Sequence, residues 1–510
     1  MNAFDIRALE RGVTLSDAIE AASDEETVAP DGFVRIDASD ALWTGLAKGC
    51  AQGWHDLGAL WFDGGYMHMA LWQAAGGHCQ KAIVSTEARH GVYPSVSAHH
   101  VPAMRLERAM RDLYDVNPMG LPDTRGWLDH GVWPAKPLRT EKGYQFLPVD
   151  GAGLHQIPVG PVHAGIIEPG HFRFTCNGET IARLEERLGY VHKGVEALCA
   201  GAPLAQAGKI AARISGDSTV AYSFAFALAV EAALSWEVPP RAILLRGIMA
   251  ELERLSHHVS DVGAICNDAS VVAILARCAI IREDILATAA KCFGHRMMMD
   301  RIVPGGTACD LDAGKADAIR ALLVRLEASF AGVVNAYDQS PSLQDRVQKT
   351  GVTRPDYVQQ FAAGGYVGRA SGRAFDARQV FAYAPYNILE FEVPSRTAGD
   401  VDARIWIRIE EVSQSVAMIR TLLDMLEPGP VAAPPPPLRE GHGAAVTEAF
   451  RGDVFLCVRL GEDGNVAHLH ARDASWFQWP LLETAIKDNI VADFPLCNKS
   501  FNCSYSGHDI

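Results

Sequence analysis

Residues 400–428 read DVDARIWIRIEEVSQSVAMIRTLLDMLEP, a pattern that predicts one long helix in the larger part of the chain. Apolar residues recur at alternating steps of four and three, the spacing of one helical face. They are Ile405, Ile409, Val412, Val416, Ile419, Leu423 and Leu426. Asp400 is suited to cap the helix and Pro428 to end it. Such a seam occurs in bundle cores and in dimerising coiled coils, and here we favour a bundle core.

Two further stretches predict helices in the same part of the chain. Pro239 and Pro240 mark the start of a helix whose apolar residues again step by four and three, from Ile248 to Val262. The charge-free run Ser218–Val230 has thirteen residues, short of the roughly 20 that cross a bilayer, so it predicts a buried helix. The proline-rich segment 428–437 predicts a stiff, extended connector.

The first part of the chain predicts a separate α/β domain. Leu57–Phe62 and Tyr66–Trp72 predict a hairpin, and Ala82–Ser85 a third strand. Pro102 opens a predicted helix whose apolar stripe packs on that sheet. Prolines and glycines then recur from Asn117 to Pro148, which is typical of an extended segment between domains. We therefore place a domain boundary near residue 150.

The composition excludes several classes of protein. Lys and Arg total 46 against 61 Asp and Glu, a formal net charge of -15, which argues against binding to nucleic acid. The eleven cysteines form no C-x2-C pair, so neither a disulfide framework nor a zinc ribbon is predicted, and a reducing compartment fits. The acidic amino end, residues 1–26, lacks the pattern of a signal peptide. No G-x-G-x-x-G motif follows a predicted strand, so we assign no nucleotide to this chain.

Nine short blocks between residues 160 and 401 carry a resemblance to a known family. They are Gly160–His163, Pro169–Phe174, Gly189–Glu196, Glu237–Arg241, Glu251–His258, Pro304–Gly306, Gly351–Thr353, Arg369–Gly372 and Gly399–Val401. In this order they resemble the forty-nine-kilodalton subunit of respiratory complex I and the large subunits of membrane-bound group 4 nickel-iron hydrogenases. The resemblance covers roughly residues 155–510.

The first domain resembles the thirty-kilodalton subunit of complex I. The matching blocks are Leu106–Arg108, Arg111–Asp115, Leu121–Arg125 and Lys136–Arg139. Fusion of the two modules is the arrangement of the formate hydrogenlyase type of large subunit. The resemblance implies an α+β chain, in which an α/β domain of the thirty-kilodalton type occupies residues 1–150. A mainly helical domain with small β elements, of the forty-nine-kilodalton or hydrogenase type, follows at 151–510.

Hydrogenases of this family hold nickel and iron with two C-x-x-C pairs. The first pair aligns with Ser215 and Ser218, and the second with Ser500 and Cys503, so three of the four thiols are hydroxyls. An alcohol stays protonated at neutral pH and is a hard ligand, unlike a thiolate. We therefore expect no metal here. Only seven residues follow Cys503, which puts the family's carboxyl-terminal maturation in doubt.

The complex I resemblance also has gaps. The tyrosine and histidine that hold the quinone head there align with Gly216 and Pro169. The resemblance instead implies Arg213, His258 and Asp268 as candidate proton or redox-coupling groups, with His258 near the terminal cluster of the partner subunit. A degenerate, polar cavity is then expected between Arg213, Ser215, Asp217, Ser218, Ser500, Cys503 and His508.

Each of these residues also has a purely structural interpretation. Ser-x-x-Ser before an apolar helix is a common polar cap, and Asp268 could cap a helix that begins near Ala269. His257 and His258 could be packed helix residues. Asp217 and Glu168 could be solvated loop acids, and His163 and His171 could bond only to the backbone.

Three functions compete. In the first, the chain is the large subunit of a peripheral complex on the cytoplasmic side of the inner membrane. It takes electrons from a small iron–sulfur subunit to an unknown acceptor, with quinone as one candidate, and ion translocation occurs in antiporter-type membrane subunits. NAD would enter through other subunits, and the chain itself would bind no cofactor. In the second, it is an inactive structural or coupling subunit. The third, a working hydrogenase, is disfavoured.

Overall fold

The computed structural model describes residues 10–22, 29–75, 78–134, 144–163 and 167–510. The block Lys136–Arg139, and residues 1–9 and 23–26 of the acidic amino end, lie outside these residues.

The first domain is built on a four-stranded sheet in the order β1-β4-β3-β2. Its strands are β1 Val34–Asp37, β2 Asp56–Phe62, β3 Tyr66–Ala75 and β4 His78–Glu87. The predicted hairpin and third strand are confirmed; β1 adds a parallel partner on the outer edge of β4. Helices α1 Leu15–Ala22, α2 Asp40–Ala51 and α3 Met104–Tyr114 complete the domain, with the short parallel pair β5 Val92–Pro94 and β6 Asn117–Met119.

The second domain begins with an antiparallel sheet of β7 Leu154–Val159, β8 His171–Asn177 and β9 Thr180–Arg187. Its bundle then follows. The helices are α4 Val195–Cys199, α5 Leu204–Ala211, α6 Thr219–Leu234, α7 Pro240–Asp268, α8 Val272–Phe293, α9 Ala313–Asp338, α10 Pro341–Val347, α11 Pro355–Gln360, α12 Gly365–Ala370, α13 Ala377–Val380 and α14 Val401–Asp424. A two-stranded ribbon, β10 Ile302–Val303 and β11 Gly306–Thr307, lies between α8 and α9.

The predicted seams form the bundle core. The apolar residues of α7 and α14 belong to one buried cluster, together with residues of α8 and α9. The side chain of Asp400 accepts a hydrogen bond from the Ala403 N–H, 2.9 Å away, so the predicted cap is confirmed. Helix α14 ends at Asp424, four residues before Pro428. The seam is therefore bundle core rather than a coiled-coil surface.

A carboxyl-terminal sheet was not predicted from the sequence. Strands β12 Gly441–Ala449, β13 Gly452–Leu460 and β14 Val466–Arg472 are antiparallel and precede α15 Ser475–Ala485 and α16 Phe494–Phe501. Helix α6 packs directly on this sheet, so closely that a Cβ at Gly443 would lie 1.9 Å from the Ala229 carbonyl oxygen.

Helix α6 is apolar around its whole circumference. By length and composition the stretch Gly216–Leu234 could cross a membrane, but 83% of its apolar window is buried inside the fold. It is the covered core helix that the sequence predicts. Its amino terminus sets the position of the candidate site.

Candidate functional site

Two buried serines from distant parts of the chain meet in front of α6. Ser215 precedes a single 3₁₀ turn, Gly216–Ser218, that leads into the helix. Its hydroxyl lies 2.8 Å from the hydroxyl of Ser504, which follows α16, and 2.8 Å from the Asp217 carboxylate. Both serine residues are buried. The hydroxyl of Ser215 thus joins the first predicted pair to the carboxyl end of the chain.

Ser500, of the second predicted pair, bonds to its own helix and to Arg404 rather than to Ser215. The Ser500 hydroxyl donates to the Cys497 carbonyl, 2.6 Å away, and accepts from Arg404 Nε at 2.9 Å, so it belongs to α16 packing. The residue that faces Ser215 is Ser504, four positions later, whose hydroxyl also accepts from the Gly507 N–H.

An arginine occupies the position beside these serines. Arg451, in the turn between β12 and β13, donates to both carboxylate oxygens of Asp217 at 2.8 and 2.5 Å, and reaches the Ser218 hydroxyl at 3.4 Å. Burial raises the pKa of the Asp217 carboxyl, but the guanidinium outweighs it and holds that pKa below its usual range. Asp217 is thus an ion-paired carboxylate, 37% exposed, rather than a solvated loop acid.

Arg213 does not join this cluster. Its guanidinium forks onto Asp300 at 2.7 and 2.8 Å, and its side chain is 46% exposed. His508 is buried, stacks on Trp476 at 4.1 Å and bonds to Asp509 at 2.9 Å. Arg213 and His508 therefore bond elsewhere, while Ser215, Asp217, Ser218, Arg451 and Ser504 form a compact cluster whose groups are paired to one another.

The cluster offers no soft donor to a metal. Cys503 is buried, with its Sγ 3.9 Å from Gln478 Oε1, and burial raises the pKa of its thiol well above the ordinary value. Within the described residues, no group of three or more His, Cys, Asp or Glu side chains is arranged to hold a metal ion. Protonated oxygen donors and an arginine do not fit a nickel-iron centre. We derive no chemical step through such a centre.

Ser218 is not the polar cap that the simpler interpretation predicted. Its side chain makes no capping bond; the first N–H groups of α6, of Val220 and Ala221, donate to Glu253 at 2.7 and 3.1 Å. Glu253 lies on α7 and is buried. Burial raises its pKa to about 8, against the pull of those two N–H groups.

His258 forms a buried acid–base pair that the sequence did not reveal. Its Nε2 lies 2.6 Å from the Glu411 carboxylate of α14, and both side chains are 0% exposed. Burial lowers the pKa of this imidazole, although Glu411 opposes the shift. The position of Glu411 beside the apolar seam of α14 was the available signal.

Glu411 belongs to a buried network of ion pairs. Its second oxygen lies 2.8 Å from Arg369 Nε, and Arg254 approaches at 4.0 Å. Burial raises the pKa of Glu411, but Arg369 and His258 more than offset this and hold it well below its usual range. Further members are Glu251, Asp376, Arg378 and Glu448. So many buried charges make a rigid, mutually dependent unit.

Asp268, His257 and His171 lie in three different environments. Asp268 is the last residue of α7, while α8 begins at Val272 and has Val271 at its cap position, so Asp268 does not cap that helix. Burial raises the pKa of its carboxyl, with Lys499 opposing. His257 is a packed residue that stacks on Phe450 at 4.3 Å. His171 bonds to the Gly160 carbonyl through Nδ1, but its Nε2 also accepts from Arg173 Nε at 3.3 Å, so its contacts are not limited to the backbone.

Comparison with known proteins shows the family of the chain. Residues 268–440 match the 49 kDa subunit family of respiratory-chain NADH dehydrogenase, and residues 66–145 match its 30 kDa subunit family. Formate hydrogenlyase subunit 5 of Escherichia coli is 30% identical over 447 residues, covering 84% of this chain and 78% of the relative. The chain belongs to the family of these fused 30 kDa and 49 kDa subunits. It joins both modules in one subunit of the complex I-like and hydrogenase-related kind.

Other similar proteins include both an NADH-quinone oxidoreductase subunit and a hydrogenase. An NADH-quinone oxidoreductase subunit of Desulfotalea psychrophila is 30% identical and covers 66% of this chain and 91% of the relative. The carbon monoxide-induced hydrogenase of Rhodospirillum rubrum is 29% identical, with coverage of 68% and 97%. A chain of the archaeal membrane-bound sulfane sulfur reductase shares the fold, with a TM-score of 0.67 and 24% identity over 71% of this chain and all of that one.

Proposed function

We propose that this chain is the large subunit of a membrane-associated oxidoreductase complex that does not turn over hydrogen. Electrons arrive from an iron–sulfur cluster in a small partner subunit and leave to another acceptor, for which quinone is one candidate. Ion movement occurs in membrane subunits of the antiporter type. The names of the relatives support this setting, since they include NADH-quinone oxidoreductase subunits and a respiratory membrane complex.

The observation that carries the proposal is the replacement of thiol donors by the cluster of Ser215, Asp217 and Arg451. A hydrogenase would need soft anionic ligands at this point. The chain instead places a guanidinium against a carboxylate, with hydroxyl groups around them. At the same time it keeps a fully buried imidazole–carboxylate pair, His258 and Glu411, which is suited to proton movement linked to a neighbouring redox centre.

A second candidate function rests on a different observation. The polar atoms of Ser215, Asp217, Ser218, Arg451 and Ser504 all have partners in the described structure. Because these atoms are already paired, the cluster needs no ligand to satisfy them. This favours a structural or coupling subunit without a reaction of its own. The partners and the membrane arm would be the same in both cases.

The test is the purified complex, with its subunits identified by mass spectrometry. Acceptor-linked electron transfer and ion pumping are measured in wild type, in His258→Gln, and in His100→Gln, a buried histidine of the first domain, as the control. We expect His258→Gln to lower pumping per electron while His100→Gln leaves it unchanged. Equal pumping in both variants would contradict the role of His258. If the iron–sulfur clusters of the complex accept electrons but reduce no acceptor, the result would favour a structural subunit without a reaction of its own.

A further inference from the structure

A cavity of about 390 Å³ lies outside the cluster described above. It is enclosed by α5, α6, the strand β10, the proline-rich connector and the turn between β13 and β14. Its walls are mostly apolar, with Leu204, Phe226, Trp236, Val303 and Leu438 among them. This size and lining are typical of sites that bind small molecules.

The cavity is held open by stiff parts of the chain. Pro203, Pro304 and Pro435 all line it. Gly305, at φ +82°, lets the indole of Trp236 lie against the backbone, because a Cβ there would come within 2.3 Å of Trp236 Cζ2. Proline fixes its own backbone, so little chain entropy is lost when a ligand enters. The cavity is therefore preformed.

Charge at the edge of the cavity defines the ligand further. Lys209 and Asp300 both line it, and Lys209 is exposed. The Asp300 carboxylate is already held by both terminal nitrogens of Arg213. No carboxylate of the described residues lies within ion-pair distance of the Lys209 ammonium group. Arg213 and Lys209 both lower the pKa of the one Asp300 carboxylate, so the edge of the apolar cavity carries a net positive charge, on a chain whose net charge is -15.

Few groups inside the cavity could hold a polar ligand. Ser223 lines it, but its hydroxyl donates to the Thr219 carbonyl of its own helix at 2.8 Å. Trp236 also lines it, with a buried indole N–H that has no hydrogen-bond partner among the described residues. A charged or strongly polar body would still lose more hydration there than one such donor replaces. An apolar tail with a charged end near Lys209 has no such cost.

We infer that this cavity binds a long-chain carboxylate, with its alkyl tail between Phe226 and Leu438 and its head group beside Lys209. The inference does not depend on the electron-transfer function proposed above. It concerns a separate site, and its failure would leave that function untouched.

Three probes with the same tail test it on the full chain: dodecanoate and dodecyltrimethylammonium below their micelle concentrations, and dodecanol below its solubility limit. Binding is measured by titration calorimetry. We expect dodecanoate to bind with one-to-one stoichiometry, about three- to fivefold tighter than dodecanol, as for one exposed ion pair. The ammonium probe should bind most weakly.

Reversing the charge at Lys209 tests whether this residue binds the head group. Lys209→Glu should reverse the order of the two charged probes, whereas Lys291→Glu, an exposed lysine of α8, should not change it. The same order in Lys209→Glu as in wild type would overturn the assignment of the head group.

Filling the cavity tests where the tail lies. Ala205 lines the cavity and is exposed, so Ala205→Trp should close it without unfolding α5. Dodecanoate affinity should fall at least about tenfold in this variant and stay constant in Gln206→Trp, whose position is exposed but does not line the cavity. Circular dichroism checks the fold of both. Undiminished binding in folded Ala205→Trp, or no binding of dodecanoate to wild type, would overturn the inference.

Discussion

The hydroxyl of Ser215 lies 2.8 Å from the hydroxyl of Ser504, although 289 residues separate them in sequence. This contact joins the loop before α6 to the carboxyl end of the chain. Ser500, the serine that the resemblance implied at this place, bonds instead to Arg404 and to the Cys497 carbonyl. The same two chain segments that supply metal ligands in hydrogenases of this family are therefore held together here by oxygen atoms.

A double-mutant cycle tests that contact. Ser215→Ala and Ser504→Ala should each cost about 1 kcal/mol in the free energy of unfolding, because each breaks a buried hydrogen bond. Their combined cost should differ from the sum by about 0.5–1 kcal/mol, the signature of direct contact. The control pair, Ser215→Ala with Ser500→Ala, should be additive in chemical denaturation. Equal coupling in both cycles would place Ser500 at the site.

The pair of Arg451 and Asp217 should behave as a partly buried ion pair. The Arg451 side chain is 5% exposed and that of Asp217 is 37% exposed. Asp217→Ala should therefore destabilise more than Arg451→Met, by about 1–3 kcal/mol, since it leaves the more deeply buried charge alone. The double variant should cost less than the sum of the two. Strict additivity in denaturant titrations would show that the two charges do not interact.

Substitution of Glu411 should lower the free energy of unfolding far more than substitution of its neighbour Glu410. Glu411→Gln leaves Arg369 and His258 without their buried carboxylate and should cost about 3–5 kcal/mol at pH 7. Glu410→Gln removes only an exposed pair with Arg396 and should cost less than about 1 kcal/mol. Both costs are measured by chemical denaturation.

The pH dependence of that difference has a definite sign. The pKa of Glu411 is lowered in the folded protein, so its stabilising contribution is present above the unfolded-state pKa of about 4.3. It is lost as the pH falls through the lower folded pKa. The gap between wild type and Glu411→Gln should therefore narrow below about pH 4. A gap that widens in acid would contradict the ion-paired state of Glu411.

Glu253 should give the opposite pH dependence. Burial raises its folded pKa to about 8. Its contribution to stability is fully present below the unfolded-state value and is lost as the pH rises towards 8. Wild type should lose up to about 1.4 kcal/mol per pH unit relative to Glu253→Gln between about pH 4.5 and 8. Parallel stability curves over this range would show that Glu253 stays ionised in the folded protein.

The helices could be predicted because their signals are local. The seams of α7 and α14, the cap at Asp400 and the hairpin of the first domain each depend on periodicity or on residues a few positions apart. The carboxyl-terminal sheet was missed. Its middle strand, VFLCVRL, is almost wholly apolar, so it lacks the alternation that marks a half-exposed strand.

The site could be predicted only in part, because its decisive contacts are distant in sequence. Arg451 lies 234 residues from Asp217, in a turn without any motif of its own. The choice between Ser500 and Ser504 depends on how α16 ends, where Asn502 takes a left-handed conformation that turns the chain towards Ser215. Spacing along the sequence could not decide this.

If oxygen donors and an arginine have replaced the ligands of a nickel-iron centre, the purified complex should hold no such centre. Metal analysis and infrared spectroscopy of the complex decide this. We predict iron only in the amount that the partner's iron–sulfur clusters require, no stoichiometric nickel, and no bands from cyanide or carbon monoxide bound to iron. Stoichiometric nickel together with those bands, assigned to this subunit, would contradict the account.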